Sequence, residues 1–209
     1  VDCKYKGFSI FQNLFLQFLM MKIVLIDNYD SFTHNLARYF REQPGVHLEI
    51  IPNDKFKRGT LDGFDKLVIS PGPGLPRHSG FLPEILQEYA DKKPVLGICL
   101  GHQALYEHFG GSLLNLSEVK HGVTSRVWLT DNHDPLFNDI DTGFEAGRYH
   151  SWVCDHATLP DDLLISATDD EGWIMALRHR ILPLYGVQFH PESFLTPIGE
   201  KLIQNFVLM

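Results

Sequence analysis

The strongest constraint on this chain is an alternation, through its first half, between short apolar runs and segments of helical spacing. KIVLID (22 to 27), HLEIIP (47 to 52), KLVIS (66 to 70) and PVLGI (94 to 98) are rich in β-branched residues and too short for core helices. They read as strands buried on both faces. Between them, THNLARYFREQ (33 to 43) places Leu36, Tyr39 and Phe40 at helical spacing before Pro44-Gly45 stops it. A second helix is expected from Phe81 to Ala90, with Pro83 tolerated in its first turn, and a third from Leu100 to Phe109, closed by Gly110-Gly111. Buried strands alternating with helices give an α/β fold whose central sheet is mainly parallel, with helices on both faces. From Val123 onward the character changes. VTSRVWLT, LLISAT, WIMALRH and LYGVQF are separated by turns such as Asp169-Asp170-Glu171-Gly172, which predicts antiparallel additions to the same sheet. A terminal helix from about Pro197 to Val207 puts Ile198, Leu202 and Phe206 on one face.

Composition removes several function classes. The chain has 209 residues, 44% apolar and 21% charged, and a formal charge of −8 with no Lys/Arg block. That is a globular chain poorly suited to nucleic acid or an anionic membrane surface, both of which need concentrated positive charge. Cys3, Cys99 and Cys154 are odd in number and widely spaced, which fits a reducing, cytoplasmic setting better than a disulfide framework. Eleven histidines include no HxxxH or HExxH, and His102/His108 and His150/His156 stand six apart. No metal is expected on this chain.

Residues 1 to 20, VDCKYKGFSIFQNLFLQFLM, stand apart from the rest. The apolar stretch is broken by Gln12, Asn13 and Gln17, lacks a small-residue cleavage site and is too short to span a membrane. Phe8, Phe11, Phe15 and Phe18 recur at helical spacing, so a docking helix is one reading. The plainer one, which the immediate start of a strand after Met21 favours, is a non-native or disordered extension, with the domain proper running from 21 to 209.

Chemistry concentrates in three places. Gly97-Ile98-Cys99-Leu100-Gly101 lies where a buried strand meets a helix, in the arrangement of a nucleophile elbow. The flanking glycines leave room for a sharp turn, and the positive end of the helix favours a thiolate. Taken alone, Cys99 is equally at home as an inert buried thiol. His190-Pro191-Glu192 ends another buried strand. In extended chain the first and third residues share a side, so Glu192 can hold the His190 ring and stabilise it when protonated. Ser70-Pro71-Gly72-Pro73-Gly74 lacks the Lys-Ser/Thr of a P-loop, but Gly72 and Gly74 carry the N–H groups the prolines lack, in a rigid turn suited to an oxyanion. Asp30 or Ser31 is expected to N-cap the first helix, and His102 and His121-Gly122 to be structural.

Together DNYDSFTHNL (27 to 36), SPGPG (70 to 74), GICLGHQAL (97 to 105), GRYHSW (147 to 152) and GVQFHPESFLTPIG (186 to 199) resemble the class I glutamine amidotransferases. The closer likeness is to the small subunits of anthranilate synthase and aminodeoxychorismate synthase. It runs from Met21 to about Val207, with Trp152 standing where the family often has Leu. The resemblance implies Cys99 as nucleophile and His190 and Glu192 as the rest of a triad. It implies a glutamine site lined by Gly72, Pro73, Gly74, Gln103, Ser151 and Trp152, with the Leu100 N–H completing the oxyanion hole. It also implies L-glutamine as substrate and, as partner, a chorismate-binding synthase subunit on a separate chain. No cofactor is implied on this chain, magnesium being expected only in the partner's chorismate site. Two alternatives are a non-catalytic regulatory relative of the fold and a stand-alone thiol amidohydrolase. The intact Cys99, His190 and Glu192 speak against the first, and Gln103 with the YHSW segment against the second.

Overall fold

The computed structural model describes residues 20–209, so the extension expected over 1 to 20 lies, Met20 apart, outside the described residues. Among the described residues nine strands form one sheet: β1 (Met21–Asp27), β2 (Val46–Pro52), β3 (Lys66–Ile69), β4 (Val95–Ile98), β5 (Leu113–Leu129), β6 (Gly143–Cys154), β7 (Leu163–Asp169), β8 (Ile174–His179) and β9 (Leu184–Val187). Their spatial order is β2-β1-β3-β4-β9-β8-β7-β5-β6. The pairs from β2 to β9 are parallel and those from β9 to β6 antiparallel. This is the expected α/β architecture, a parallel half extended by antiparallel strands.

Among the described residues the α-helices are α1 (Thr33–Arg41), α2 (Leu82–Tyr89), α3 (Leu100–His108) and α4 (Gly199–Leu208). Side chains of a strand alternate faces, and β1 shows the result. Ile23 and Leu25 pack with Leu36 and Phe40 of α1 and Leu202 and Phe206 of α4, whereas Val24 and Ile26 pack with Ile85 and Leu86 of α2 and Leu105 of α3. Each face of the parallel half therefore has its own core. Because β1, β3, β4 and β9 run the same way, their carboxyl ends lie along one edge, where open α/β sheets bind ligands.

Two expectations need correction, and one strand is new. β6 carries no strand pattern in the sequence, because its buried positions include Arg148 and His150 and its residues are neither continuously apolar nor alternating. β5 begins ten residues before Val123, its first half being largely exposed and polar. It also shifts register against β6 on either side of Lys120 and His121, with Gly122 at φ +68 in the second irregularity. Finally, neither Asp30 nor Ser31 caps α1. Phe32 occupies the N-cap without a side-chain bond, and Asp30 instead accepts the Phe32 N–H at 2.7 Å, closing the turn before the helix.

Candidate active site

Cys99 stands between β4 and α3 with φ 51 and ψ −97, a conformation that L-residues rarely adopt. Strain of this kind costs on the order of 1–3 kcal/mol and persists only where surrounding structure imposes it. Here the imposition is close packing. A Cβ on Gly97 would stand 2.4 Å from the Gly101 carbonyl carbon, and one on Gly101 2.6 Å from the Ile69 carbonyl oxygen. The elbow expected from the glycine spacing is therefore present, and its glycines are obligatory.

The HPE segment comes to the same edge from β9. His190 Nδ1 lies 2.7 Å from Glu192 Oε1, and both side chains are buried. Backbone bonds brace the segment: the His190 N–H donates to the Gly147 carbonyl at 3.0 Å, and Thr196 Oγ1 donates to the His190 carbonyl at 2.7 Å. Burial alone would lower the imidazole pKa. The Glu192 charge, with the Cys99 side chain and the Glu192 hydrogen bond adding to it, outweighs this and raises the His190 pKa well above the usual range. Nε2, the ring nitrogen away from Glu192, has no hydrogen-bond partner among the described residues. Phe32 and Tyr149 cover the ring, with centroids 5.5 and 4.9 Å away.

In front of Cys99 is a cavity of about 260 Å³, lined by Gly72, Pro73, Gly74 and Gln103 and, from β5 and β6, by Val119, His121 and Tyr149 to Trp152. The structure thus gathers six of the seven residues expected around glutamine. Leu100 is the seventh; its side chain is buried in the core, and as the first residue of α3 its N–H has no intrahelical acceptor. The SPGPG turn is held against the elbow by Asn28, whose N–H donates to Ser70 Oγ and whose Nδ2 donates to the Ser70 carbonyl, both at 2.9 Å. Gly72 packs so tightly there that a Cβ would meet that of Asn28 at 2.5 Å.

Sequence reasoning missed three residues. His121, read as structural, lines the cavity with Val119, because β5 reaches the site. Gln188 is fully buried, donates from Nε2 to Cys99 Sγ at 3.5 Å and accepts from Gln103 Nε2 at 3.0 Å. Its place two residues before His190 was the available signal. Gln103 Nε2 also donates to the Trp152 carbonyl at 2.8 Å, so both amide hydrogens are engaged and the carbonyl oxygen is the group left for a ligand. His102 is structural as expected, buried on α3 with Nε2 3.3 Å from Cys154 Sγ.

Among the described residues no group of three or more His, Cys, Asp or Glu side chains has a metal-holding arrangement, and no helix is long and apolar enough to cross a membrane.

Comparison with known proteins points one way. Residues 24–209 match the family described as Glutamine amidotransferase class-I. The chain is 41% identical over 198 residues to Anthranilate synthase component 2 of Methanothermobacter marburgensis, covering 90% of this chain and 98% of that one. It is also 41% identical over 187 residues to Aminodeoxychorismate synthase component 2 of Escherichia coli, covering 88% and 98%. Among solved structures, a Thermoplasma acidophilum protein of the GMP synthase type superposes with a TM-score of 0.80 at 30% identity, over 90% of this chain and 92% of that one.

Proposed function

The chain belongs to the class I glutamine amidotransferases, of the anthranilate and aminodeoxychorismate synthase type, and from that premise we propose that it hydrolyses L-glutamine through a Cys99, His190 and Glu192 triad. The ammonia is delivered to a chorismate-aminating subunit on a separate chain. The carrying observation is the His190 ring, fixed by Glu192 at 2.7 Å with its Nε2 left without a partner among the described residues, behind a cavity that Cys99 itself lines.

The chemistry follows from the groups present. Cys99, its thiol proton passed to His190, attacks the side-chain amide carbon of glutamine as the thiolate, and the oxyanion is received by backbone N–H groups of the Gly72 turn and of Leu100. His190, whose raised pKa keeps it protonated near neutrality, gives its proton to the departing nitrogen. The C–N bond breaks, ammonia leaves and a glutamyl thioester remains. The now neutral His190 takes a proton from water as its oxygen attacks the thioester, the C–S bond breaks, and glutamate is released. Glu192 stays ionised throughout and holds the ring. The Gln103 carbonyl oxygen accepts from the substrate ammonium, and the Ser151 and Trp152 segment receives the α-carboxylate. The catalytic domain spans 21–209, works in a reducing compartment and carries no cofactor of its own.

The test is reconstitution. Mixing the full chain with each candidate chorismate-binding subunit, glutamine, chorismate and magnesium should raise glutamate release several-fold with at least one of them. Anthranilate is fluorescent and appears directly, whereas aminodeoxychorismate needs a lyase to reach 4-aminobenzoate, so one mixture separates the two products. Cys99→Ala should abolish glutamine-dependent product formation while ammonia-dependent synthesis by the partner persists. Glutamine use by Cys99→Ala above a few per cent of the parent rate sinks the triad. Full activity of the isolated chain, unchanged by any partner, favours a stand-alone hydrolase.

A further inference from the structure

Behind the cavity runs a line of buried polar side chains that the proposed chemistry does not use. Arg148 on β6 is fully buried, and its Nη1 is paired with Asp169 Oδ2 and donates to Ser125 Oγ at 3.1 Å. Asp169 is held in turn, its other oxygen accepting the Glu171 and Trp173 N–H groups at 3.0 and 2.8 Å. From this anchored guanidinium, Nε points toward the site and donates to His150 Nε2 at 3.1 Å. A guanidinium offers only donors, so that imidazole nitrogen must be the acceptor. The other ring nitrogen, Nδ1, lies 3.0 Å from the Trp152 carbonyl oxygen, which can only accept. Both neighbours therefore demand the same form of the ring, neutral with its proton on Nδ1.

The pKa of His150 agrees. Burial, followed by the Arg148 charge, brings it down to about 3, so the ring stays neutral through the physiological range. The Trp152 carbonyl that receives the His150 proton also receives Gln103 Nε2, whose second hydrogen goes to Gln188. Arg148 thus determines which His150 nitrogen carries hydrogen, and the ring, through the Trp152 carbonyl, determines how the Gln103 amide faces the cavity. Burying a cation costs several kcal/mol before pairing is counted, and an apolar side chain would fill the space without that cost. What an apolar residue cannot supply is a fixed tautomer two residues away.

We propose that Arg148, anchored by Asp169, is a positioning residue for α-amino acid recognition: it fixes His150 as the Nδ1–H tautomer, and His150 holds the Trp152 carbonyl and the Gln103 amide in the orientation that presents a carbonyl oxygen to the ligand ammonium. The proposal rests on the reading of the cavity as a glutamine site.

The experiment uses the full chain in two forms. Long-range proton–nitrogen NMR on the unsubstituted chain should show the His150 ring as the Nδ1–H tautomer from pH 6 to 8; an Nε2–H tautomer or an imidazolium overturns the proposal without any variant having to fold. Calorimetric titration with L-glutamine is then made in a Cys99→Ser background, so that the ligand is bound and not consumed. His150→Phe and Arg148→Met should each weaken binding about tenfold or more. His150→Asn, whose amide nitrogen can take the place of Nδ1, should recover affinity to within about threefold of the Cys99→Ser parent. If the parent binds glutamine and all three variants bind it equally well, the positioning role is wrong and the glutamine site stands. A parent that binds no glutamine overturns both.

Discussion

The amide nitrogen of Gln188 lies 3.5 Å from the sulfur of Cys99, and its carbonyl oxygen accepts from Gln103. One buried side chain therefore touches both the proposed nucleophile and a proposed recognition residue. Hydrogen bonds to charged groups are worth about 1.5–3 kcal/mol, which corresponds to roughly ten- to hundredfold in rate when the bond is made to a thiolate. Gln188→Met should lower glutamine-dependent kcat/KM in the reconstituted complex by about that factor. Gln188→Glu should lower it further, because a carboxylate would face the sulfur. Alkylation of Cys99 by iodoacetamide at pH 7 should slow in the same order. Unchanged alkylation and turnover would leave Gln188 with a packing role only.

The contrast between what the sequence disclosed and what it hid has a physical cause. The parallel half was legible because KIVLID, KLVIS and PVLGI are buried on both faces, which forces continuous apolar character. β6 was not, since burying Arg148 and His150 serves a polar network and erases the alternation on which strand recognition depends. The same locality governs the site. Cys99 lies within its own elbow, and His190 and Glu192 are two residues apart, so short-range geometry announces them. Val119 and His121 reach the cavity only because β5 runs alongside β6, and Asn28 braces the SPGPG turn across a sequence gap of 42 residues.

The elbow glycines give a stability prediction with an internal control. At both Gly97 and Gly101 an added methyl would meet backbone atoms, which cannot rotate aside. Gly101→Ala should therefore cost about 3 kcal/mol or more in urea unfolding and should also lower glutamine turnover, since the elbow must open. Gly63 has open space around its Cβ position and no left-handed φ. Gly63→Ala should be neutral or stabilising by about 0.4–1 kcal/mol through the unfolded chain. Equal destabilisation by the two substitutions would refute the packing argument.

Lys66 ties the terminal helix to the sheet. Its buried Nζ donates to the Phe206 and Val207 carbonyls at 2.7 and 2.9 Å and lies 5.2 Å from the centre of the Phe206 ring. Burial lowers its pKa, against the opposing influence of Asp65. These are carbonyls of the last turn of α4, which have no intrahelical donors and lie at the negative end of the helix. Lys66→Met keeps the bulk and removes both bonds, so stability should fall by about 1–3 kcal/mol. Amide exchange in α4 should accelerate more than exchange in β3, whereas uniform acceleration would mean that the lysine acts on the whole fold and not on the helix end.

Histidine burial sets the acid side of the stability profile. His102 is fully buried, and desolvation lowers its pKa from 6.5 to about 4 in spite of a raising contribution from the Gly186 backbone. Between those values the unfolded chain binds a proton that the folded chain refuses, so stability falls as pH drops from 6.5 toward 4. One such group contributes at most about 1.4 kcal/mol per pH unit, and His150, lowered to about 3, acts in the same direction. His190 has the opposite sign: its raised pKa makes its contribution complete below the unfolded value and lost as pH rises through the folded one, above neutrality. Substituting His102 by Gln changes packing and hence absolute stability, so the diagnostic quantity is the slope. Urea unfolding at closely spaced pH values from 6.5 to 4.5 should give His102→Gln a shallower slope than the parent, by about 1 kcal/mol per pH unit. Parallel slopes would show that His102 protonates equally in folded and unfolded chains, against its burial beneath the elbow.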